Sequence, residues 1–361
     1  MKIIEIKEVP GIDRDVLDYM NSKKHEKVVF CSDESTNLKA IIAIHNTNLG
    51  PALGGTRMWQ YKNISEATKD VLRLSRGMTY KAAITGLNLG GGKAVIIGDS
   101  TKKTKDMMRS FGRFVESQMG NYITAEDVGM TTDDMEIIYQ ETNHVVGKPI
   151  KLGGSGDPSV ITAYGTLMGM KGSAYYKWGN DSLRNKKILI QGIGNVGQNL
   201  IKLLKNEGAT ILINDVNEDK IQNTVDKHDV EVIENNIYNA DIDIYAPCAL
   251  GGTLNDETIP QLKCSIVAGA ANNQLAKENI HDEMLANRNI LYAPDFLINA
   301  GGLINVYSEL KGFSHDQVMA KASKIFDTTI EIMDKAKKEN ISTQKAALKI
   351  AKDRVFKKHS T

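Results

Sequence analysis

KILIQGIGNVG, residues 187–197, is an apolar run that feeds into three glycines, Gly192, Gly194 and Gly197. The run reads as a buried strand, and Leu200, Leu203 and Leu204 beyond it mark one face of a helix. In G-x-G-x-x-G the first glycine allows a tight turn and the second lets backbone approach a pyrophosphate. The third lets helix and strand pack closely, and the amides of the new helix, from Asn195 and Val196 onward, face the phosphate charge. The next apolar run, ILIND, ends in Asp215, 18 residues beyond Gly197. A carboxylate there accepts hydrogen bonds from ribose hydroxyls and repels a 2′-phosphate, so the segment predicts a dinucleotide site that prefers NAD to NADP.

Outward from this segment the same alternation continues. TILIND, DIDIYAP, SIVAGA and ILYAP are short apolar strands separated by helical stretches. That pattern predicts a parallel, doubly wound Rossmann-type sheet. From residue 314 the chain reads as helix, with a capping box between Ser314 and Gln317. A stripe of Val318, Ala322, Ile325, Thr329, Ile332 and Ala336 follows. On the N-terminal side, VVF (28–30), KAIIAI (39–44), KAVIIG (93–98) and YIT (122–124) read as strands. Residues 65–78, 103–119 and 131–142 read as helices. The glycines at 153–156 mark a boundary and hinge.

The fold class is therefore α/β with two domains, and a chain of 361 residues is long enough to need both. Residues 1–148 are expected to form an N-terminal α/β domain that carries the chemistry, and residues 149–337 the Rossmann-type domain. The active-site cleft is expected between them.

The net charge of +1 gives no electrostatic reason for a nucleic-acid or membrane partner. Neither a signal peptide nor an apolar stretch of bilayer length is visible. Three scattered cysteines without CxxC spacing fit a reducing cytoplasm rather than a disulfide framework or a zinc site.

Three residues of the first half carry chemistry. Lys81 lies in GMTYKAAITG. Lys93 follows GLNLGGG, which reads as a glycine-rich loop opening a buried strand. Asp127 lies just past the strand YIT. A lysine on an apolar segment loses proton affinity through burial and through neighbouring positive charge, and so approaches a value useful near neutrality. The alternative for any such lysine is a solvated or ion-paired surface position.

Here the text closely resembles a known family. LGPALGGTRMW (49–59), GMTYK (77–81), GLNLGGGK (86–93), YITAEDVG (122–129) and YAPCALGGTLND (245–256) resemble the branched-chain arm of the Glu/Leu/Phe/Val dehydrogenases. So do AGAANNQL (268–275) and YAPDFLINAGGLINV (292–306). The resemblance runs from about residue 26 to the tail. It implies NAD-dependent oxidative deamination of an L-amino acid, with no metal and an octameric assembly; residues 1–148 would then serve substrate binding, catalysis and oligomerisation, and a C-terminal helix over about 338–361 would pack back on them. It further implies that Lys81 holds the substrate carboxylate, that Lys93 activates water and that Asp127 shuttles protons. Thr162 would contact the nicotinamide carboxamide, and Asn272 and Asn299 would line the cofactor and substrate cleft.

Leu53, where glutamate-specific relatives carry lysine, disfavours an acidic side chain, because a glutamate there would bury a charge without a partner. Gly54, Met78, Ala125, Leu303 and Val306 match the rest of the side-chain pocket, and all are apolar or small. Leucine is the expected substrate, with valine and phenylalanine as alternatives within the family. Gly197, where alanine is common, and the bulkier Leu303 are departures from its pattern. Two other classes compete. A catalytically dead NAD sensor would have lost one of Lys81, Lys93 or Asp127. A hydroxy-acid dehydrogenase would call for a histidine and arginine pair for a 2-oxo acid, and the seven histidines all fall outside the glycine-rich catalytic motifs.

Overall fold

The computed structural model describes residues 2–5 and 14–357. It divides into two compact units. The first holds residues up to Gly156 together with Val306–Gly312 and the end from Lys352. The second holds Asp157–Asn305 and Phe313–Ala351.

The first unit is built on a six-stranded sheet. Its strands are β1 (Lys2–Glu5), β2 (Lys27–Asp33), β3 (Leu38–Asn46), β4 (Ala52–Trp59), β5 (Gly90–Ile97) and β6 (Tyr122–Glu126), in the order β1-β2-β3-β5-β4-β6. The first three are antiparallel to their neighbours, whereas β4 runs parallel to both β5 and β6. Helix Ile64–Ile84 is capped by Asn63, whose side chain accepts the Glu66 N–H. It buries Ala67, Val71 and Leu72 against Val28, Ile41, Ala43 and Val95. Helices Lys105–Glu116 and Thr132–Tyr139 supply Phe111, Phe114, Met135 and Ile138 to the opposite face of the sheet.

Two expectations change here. ALGGTRMW, which reads as no element, is the strand β4. GGGK is not a loop: Gly90, Gly91 and Gly92 lie inside β5, paired with Ala52, Leu53 and Ile44. Glycine has low strand propensity, but at Gly91 a methyl would fall 2.1 Å from the Thr79 nitrogen of helix Ile64–Ile84. The glycines let that helix lie close on the sheet.

The second unit carries β7 (Lys187–Gln191), β8 (Thr210–Asn214), β9 (Glu231–Val232), β10 (Ile244–Pro247), β11 (Ile266–Val267) and β12 (Leu291–Tyr292). All pairs are parallel and the order is β12-β11-β10-β7-β8-β9. That is the doubly wound dinucleotide order, with its topological switch between β7 and β10. The short edge strand β9 was invisible in the sequence because both its residues are exposed. The Ser314–Gln317 capping box forms as expected. The tail breaks at Lys324 into helices His315–Ser323 and Ile325–Glu339, yet all six stripe residues are buried.

The division falls after Gly156, at the end of the glycines 153–156 that mark the boundary in the sequence and beyond 148; the backbone N–H groups of both Gly147 and Ser155 bind the Glu309 carboxylate of the same unit. Only the end of the last helix, from Lys352, joins the first unit, a shorter return than 338–361. Arg354 anchors it by donating to the carbonyls of Ala82, Ala83 and Leu87. Among the described residues no helix is long and apolar enough to cross a membrane.

Candidate active site

In the first unit the site is made by what β4 lacks. This strand lies between β5 and β6 and carries Gly54 and Gly55. A methyl on Gly54 would fall 1.8 Å from the Gly92 carbonyl oxygen, and one on Gly55 2.2 Å from that of Glu126 and 3.0 Å from Asp127 Cβ. With no side chains at these two positions, Lys93 Nζ on β5 reaches Asp127 Oδ2, just beyond β6, at 2.8 Å.

Lys93 is only 5% exposed. Burial lowers its proton affinity, and the Asp127 charge restores part of it. For Asp127 burial pushes the carboxyl up, but the charges of Lys93 and then Arg57 outweigh it and hold the group below its ordinary value. The loop carrying Asp127 is fixed in turn: Lys103 Nζ donates to the Gly129 carbonyl at 2.8 Å and pairs with Asp134.

Arg57 is the residue the sequence reading missed. Its Nε donates to the same Asp127 Oδ2 at 3.0 Å, and its Nη1 to Asp70 Oδ2 at 3.1 Å. The Tyr61 hydroxyl and Arg73 bind the same Asp70. The signal, an arginine inside a strand whose other central residues are apolar or small, exists only once ALGGTRMW is known to be a strand; charged residues rarely sit there without partners.

Leu53 and Ala125 are buried in β4 and β6, and Met78 Cγ lies 3.3 Å from where a Gly54 methyl would be. Met78 and Lys81 stand one turn apart on helix Ile64–Ile84, with Lys81 half-buried in its last turn. Val306 is half-buried in the first unit; Leu303, 7% exposed, belongs to the second.

In the second unit Gly192 follows β7 with φ +98, a left-handed conformation that only glycine adopts without strain. A methyl on it would fall 2.6 Å from Ala249 Cβ, just past β10. Gly194 caps helix Asn195–Asn206, and a methyl built there meets nothing within 4 Å. Gly197, packed under the loop, would place a methyl 2.3 Å from the Gly192 carbonyl oxygen. Asp215, past the end of β8, accepts the Ile193 N–H at 2.8 Å and the Asn217 N–H at 3.0 Å. A carboxylate has about four acceptor positions, so it retains capacity for two ribose hydroxyls. These residues fit a dinucleotide: open space at the helix N-terminus, forward amides and a carboxylate beyond the second strand.

Asn299 Nδ2 donates to Asn272 Oδ1 at 2.7 Å, bringing those two together, while its own buried Oδ1 has no partner among the described residues. The Thr162 hydroxyl donates to the Pro158 carbonyl.

The family pattern described as Glu/Leu/Phe/Val dehydrogenase, dimerisation domain, matches residues 25–144. That of Glutamate/Leucine/Phenylalanine/Valine dehydrogenase matches 153–217 and 211–361. Leucine dehydrogenase of Geobacillus stearothermophilus is 50% identical over 343 residues, covering 94% of this chain and 93% of that protein.

The chain belongs to the Glu/Leu/Phe/Val dehydrogenase family.

Valine dehydrogenase of Streptomyces virginiae, another relative, is 49% identical over 92% of this chain and 94% of its own. The crystal structure of L-tryptophan dehydrogenase from Nostoc punctiforme superposes with a TM-score of 0.85 at 45% identity, covering 94% of this chain and 98% of that one. Membership in this dehydrogenase family makes the protein a nicotinamide-dependent oxidoreductase acting on the CH–NH2 group of amino acids. The two-domain α/β architecture expected from the sequence is the one observed.

Proposed function

We propose that the protein catalyses the reversible NAD-dependent oxidative deamination of L-leucine, and of other branched-chain L-amino acids, to the 2-oxo acid, ammonium and NADH. The observation that carries this reading is the pairing of buried Lys93 with the half-buried Asp127, in the unit that also carries the apolar residues Leu53, Met78 and Ala125. The leucine and valine dehydrogenase relatives support the same substrate class.

NAD+ would be held by Gly192, Gly194, Gly197 and the amides of Asn195 and Val196, with Asp215 on the adenosine ribose, Thr162 toward the nicotinamide and Asn272 lining the cofactor cleft. When bound, it supplies the acceptor for the α-hydrogen as hydride. Asp215 is followed by Val216 and Asn217 rather than by a cation for a 2′-phosphate, which favours NAD.

Lys81 binds the substrate α-carboxylate, and Asn299 lines the substrate side. Leu53, Gly54, Met78, Ala125, Leu303 and Val306 receive the side chain. Lys93, its proton affinity lowered by burial, takes a proton from the water that adds to the substrate iminium, and its charge then stabilises the carbinolamine. Asp127, held as a carboxylate, accepts a proton from the amino group and returns one as ammonia leaves. Oδ2 is occupied by Lys93 and Arg57, so Oδ1 faces that task. The setting is cytoplasmic and the assembly a homo-octamer.

The test is NADH formation with purified protein, NAD+ and a panel of leucine, isoleucine, valine, phenylalanine, tryptophan and glutamate. Turnover led by the branched-chain substrates and abolished in Lys93→Ala supports the reading. Turnover led by an aromatic substrate would move the specificity to Leu303 and its neighbours. No turnover despite NAD binding would overturn the reading.

A further inference from the structure

Two cations from two adjacent strands converge on one oxygen. Lys93 from β5 and Arg57 from β4 both bind Asp127 Oδ2, at 2.8 and 3.0 Å. A carboxylate turns easily about its terminal torsion, whose wells are broad and roughly two-fold. One cation on one oxygen leaves that rotation partly open, whereas two from different directions close it.

Arg57 is itself held from behind. Its Nη1 binds Asp70 Oδ2 at 3.1 Å, and Asp70 is fixed by Tyr61 at 2.8 Å and by Arg73 at 2.9 Å. The planar guanidinium suits this arrangement, because it can donate to two carboxylates at once in fixed directions.

We propose that Arg57, braced by Asp70, is a positioning residue for the proton-transfer pair: it holds Asp127 with Oδ2 toward Lys93 and Oδ1 toward the substrate nitrogen. This rests on the deamination reading above.

The charge of Arg57 works in the same sense. It opposes proton uptake both at Asp127 and at Lys93, and so favours a carboxylate beside a neutral amine, the pair of states the reaction uses. The charged and titratable groups facing Arg57 are Asp70 and Arg73 on helix Ile64–Ile84, Tyr61 after β4, Lys93 on β5 and Asp127 after β6. Asp70 acts weakly in the opposite direction on Lys93.

The experiment compares Arg57→Gln and Arg57→Lys with the wild type in kcat, KM for leucine and the pH profile of kcat/KM. In Arg57→Gln kcat falls on the order of 10²-fold, the loss typical of a reacting group misplaced by about 1 Å, while KM changes far less. The rise of kcat/KM with pH moves to higher pH, because Asp127 and Lys93 both gain proton affinity. Arg57→Lys restores the pH profile toward wild type but not kcat, since a compact ammonium on a flexible stem lacks the rigid fork that fixes the directions to Asp127 and Asp70.

A double-mutant cycle of Arg57→Gln with Asp127→Asn on the urea midpoint reads the contact without turnover, and non-additive midpoints are expected. Wild-type kcat and pH profile in Arg57→Gln, or an additive cycle, would overturn this inference alone. A wild-type protein that turns over no amino acid would overturn the deamination reading and this inference with it.

Discussion

Gly54→Ala is the sharpest perturbation of the site, because it adds one methyl group and no charge. That methyl would stand 1.8 Å from the Gly92 carbonyl oxygen, with the Gly92 carbonyl carbon at 2.7 Å. A carbon–oxygen contact closes at about 3.3 Å, so β4 and β5 must separate there by about 1.5 Å. The obstacle is backbone, and it cannot rotate aside as a side-chain end could. The displaced residue is the immediate neighbour of Lys93, whose Nζ lies 2.8 Å from Asp127. Overpacking of this kind costs about 1–3 kcal/mol, and a backbone clash belongs at the upper end. Moving the reacting amine by an ångström costs on the order of 10²-fold in kcat. The assay pairs NADH formation from leucine with a urea midpoint, and Gly77→Ala serves as control. Gly77 lies exposed on helix Ile64–Ile84, and a methyl there meets nothing within 4 Å. That substitution is expected to raise stability by about 0.5–1 kcal/mol and leave kcat unchanged. Wild-type kcat and midpoint in Gly54→Ala would refute the argument that the glycine pair sets the distance between Lys93 and Asp127.

Three further outcomes follow from separate parts of the molecule. Asp215→Ala removes the proposed ribose acceptor and the anchor of the Ile193 amide. With charged hydrogen bonds worth about 1.5–3 kcal/mol, the KM for NAD+ should rise about 10–100-fold and the preference over NADP+ shrink, read from initial rates with each. Arg354→Met removes the guanidinium from the carbonyls of Ala82, Ala83 and Leu87; the first two keep the backbone donors Leu87 and Gly86, so a loss of about 1–2 kcal/mol is expected in urea unfolding at pH 7. His45, fully buried between Thr79 and the Lys23 carbonyl, has its proton affinity pushed down to about 4, chiefly by burial. Because the unfolded chain binds this proton near 6.5, stability falls as pH drops below 6.5 and goes on falling until about 4. The loss is on the order of 3 kcal/mol. His45→Gln should flatten that part of the urea-midpoint profile, and an unchanged slope would remove His45 from the explanation.

What could be read without coordinates depended on how local the physics was. KILIQGIGNVG and ILIND are strand, turn and helix signals complete within a few residues, and the second sheet follows them closely. The capping box at Ser314 is local in the same way. ALGGTRMW is the opposite case: two glycines and few β-branched residues read as no strand at all. Its strand character comes from pairing on both sides, with Gly90–Ile97 and with Tyr122–Glu126. GGGK misleads for the same reason, because its glycines answer to Thr79 and Tyr122, distant in sequence. Glu309, which ties Gly147 and Ser155, sits more than 150 residues from both.

Arg57 was hidden behind this error about β4. Once ALGGTRMW is a strand between Lys93 and Asp127, an arginine on it must meet one of them or remain an uncompensated charge. The least strand-like stretch of the first half thus occupies the centre of its chemistry. A side chain at Gly54 or Gly55 would improve local propensity and at the same time push apart the strands that bring the lysine and the carboxylate together. Local preference and the geometry of proton transfer pull in opposite directions at these two positions, and the structure follows the geometry.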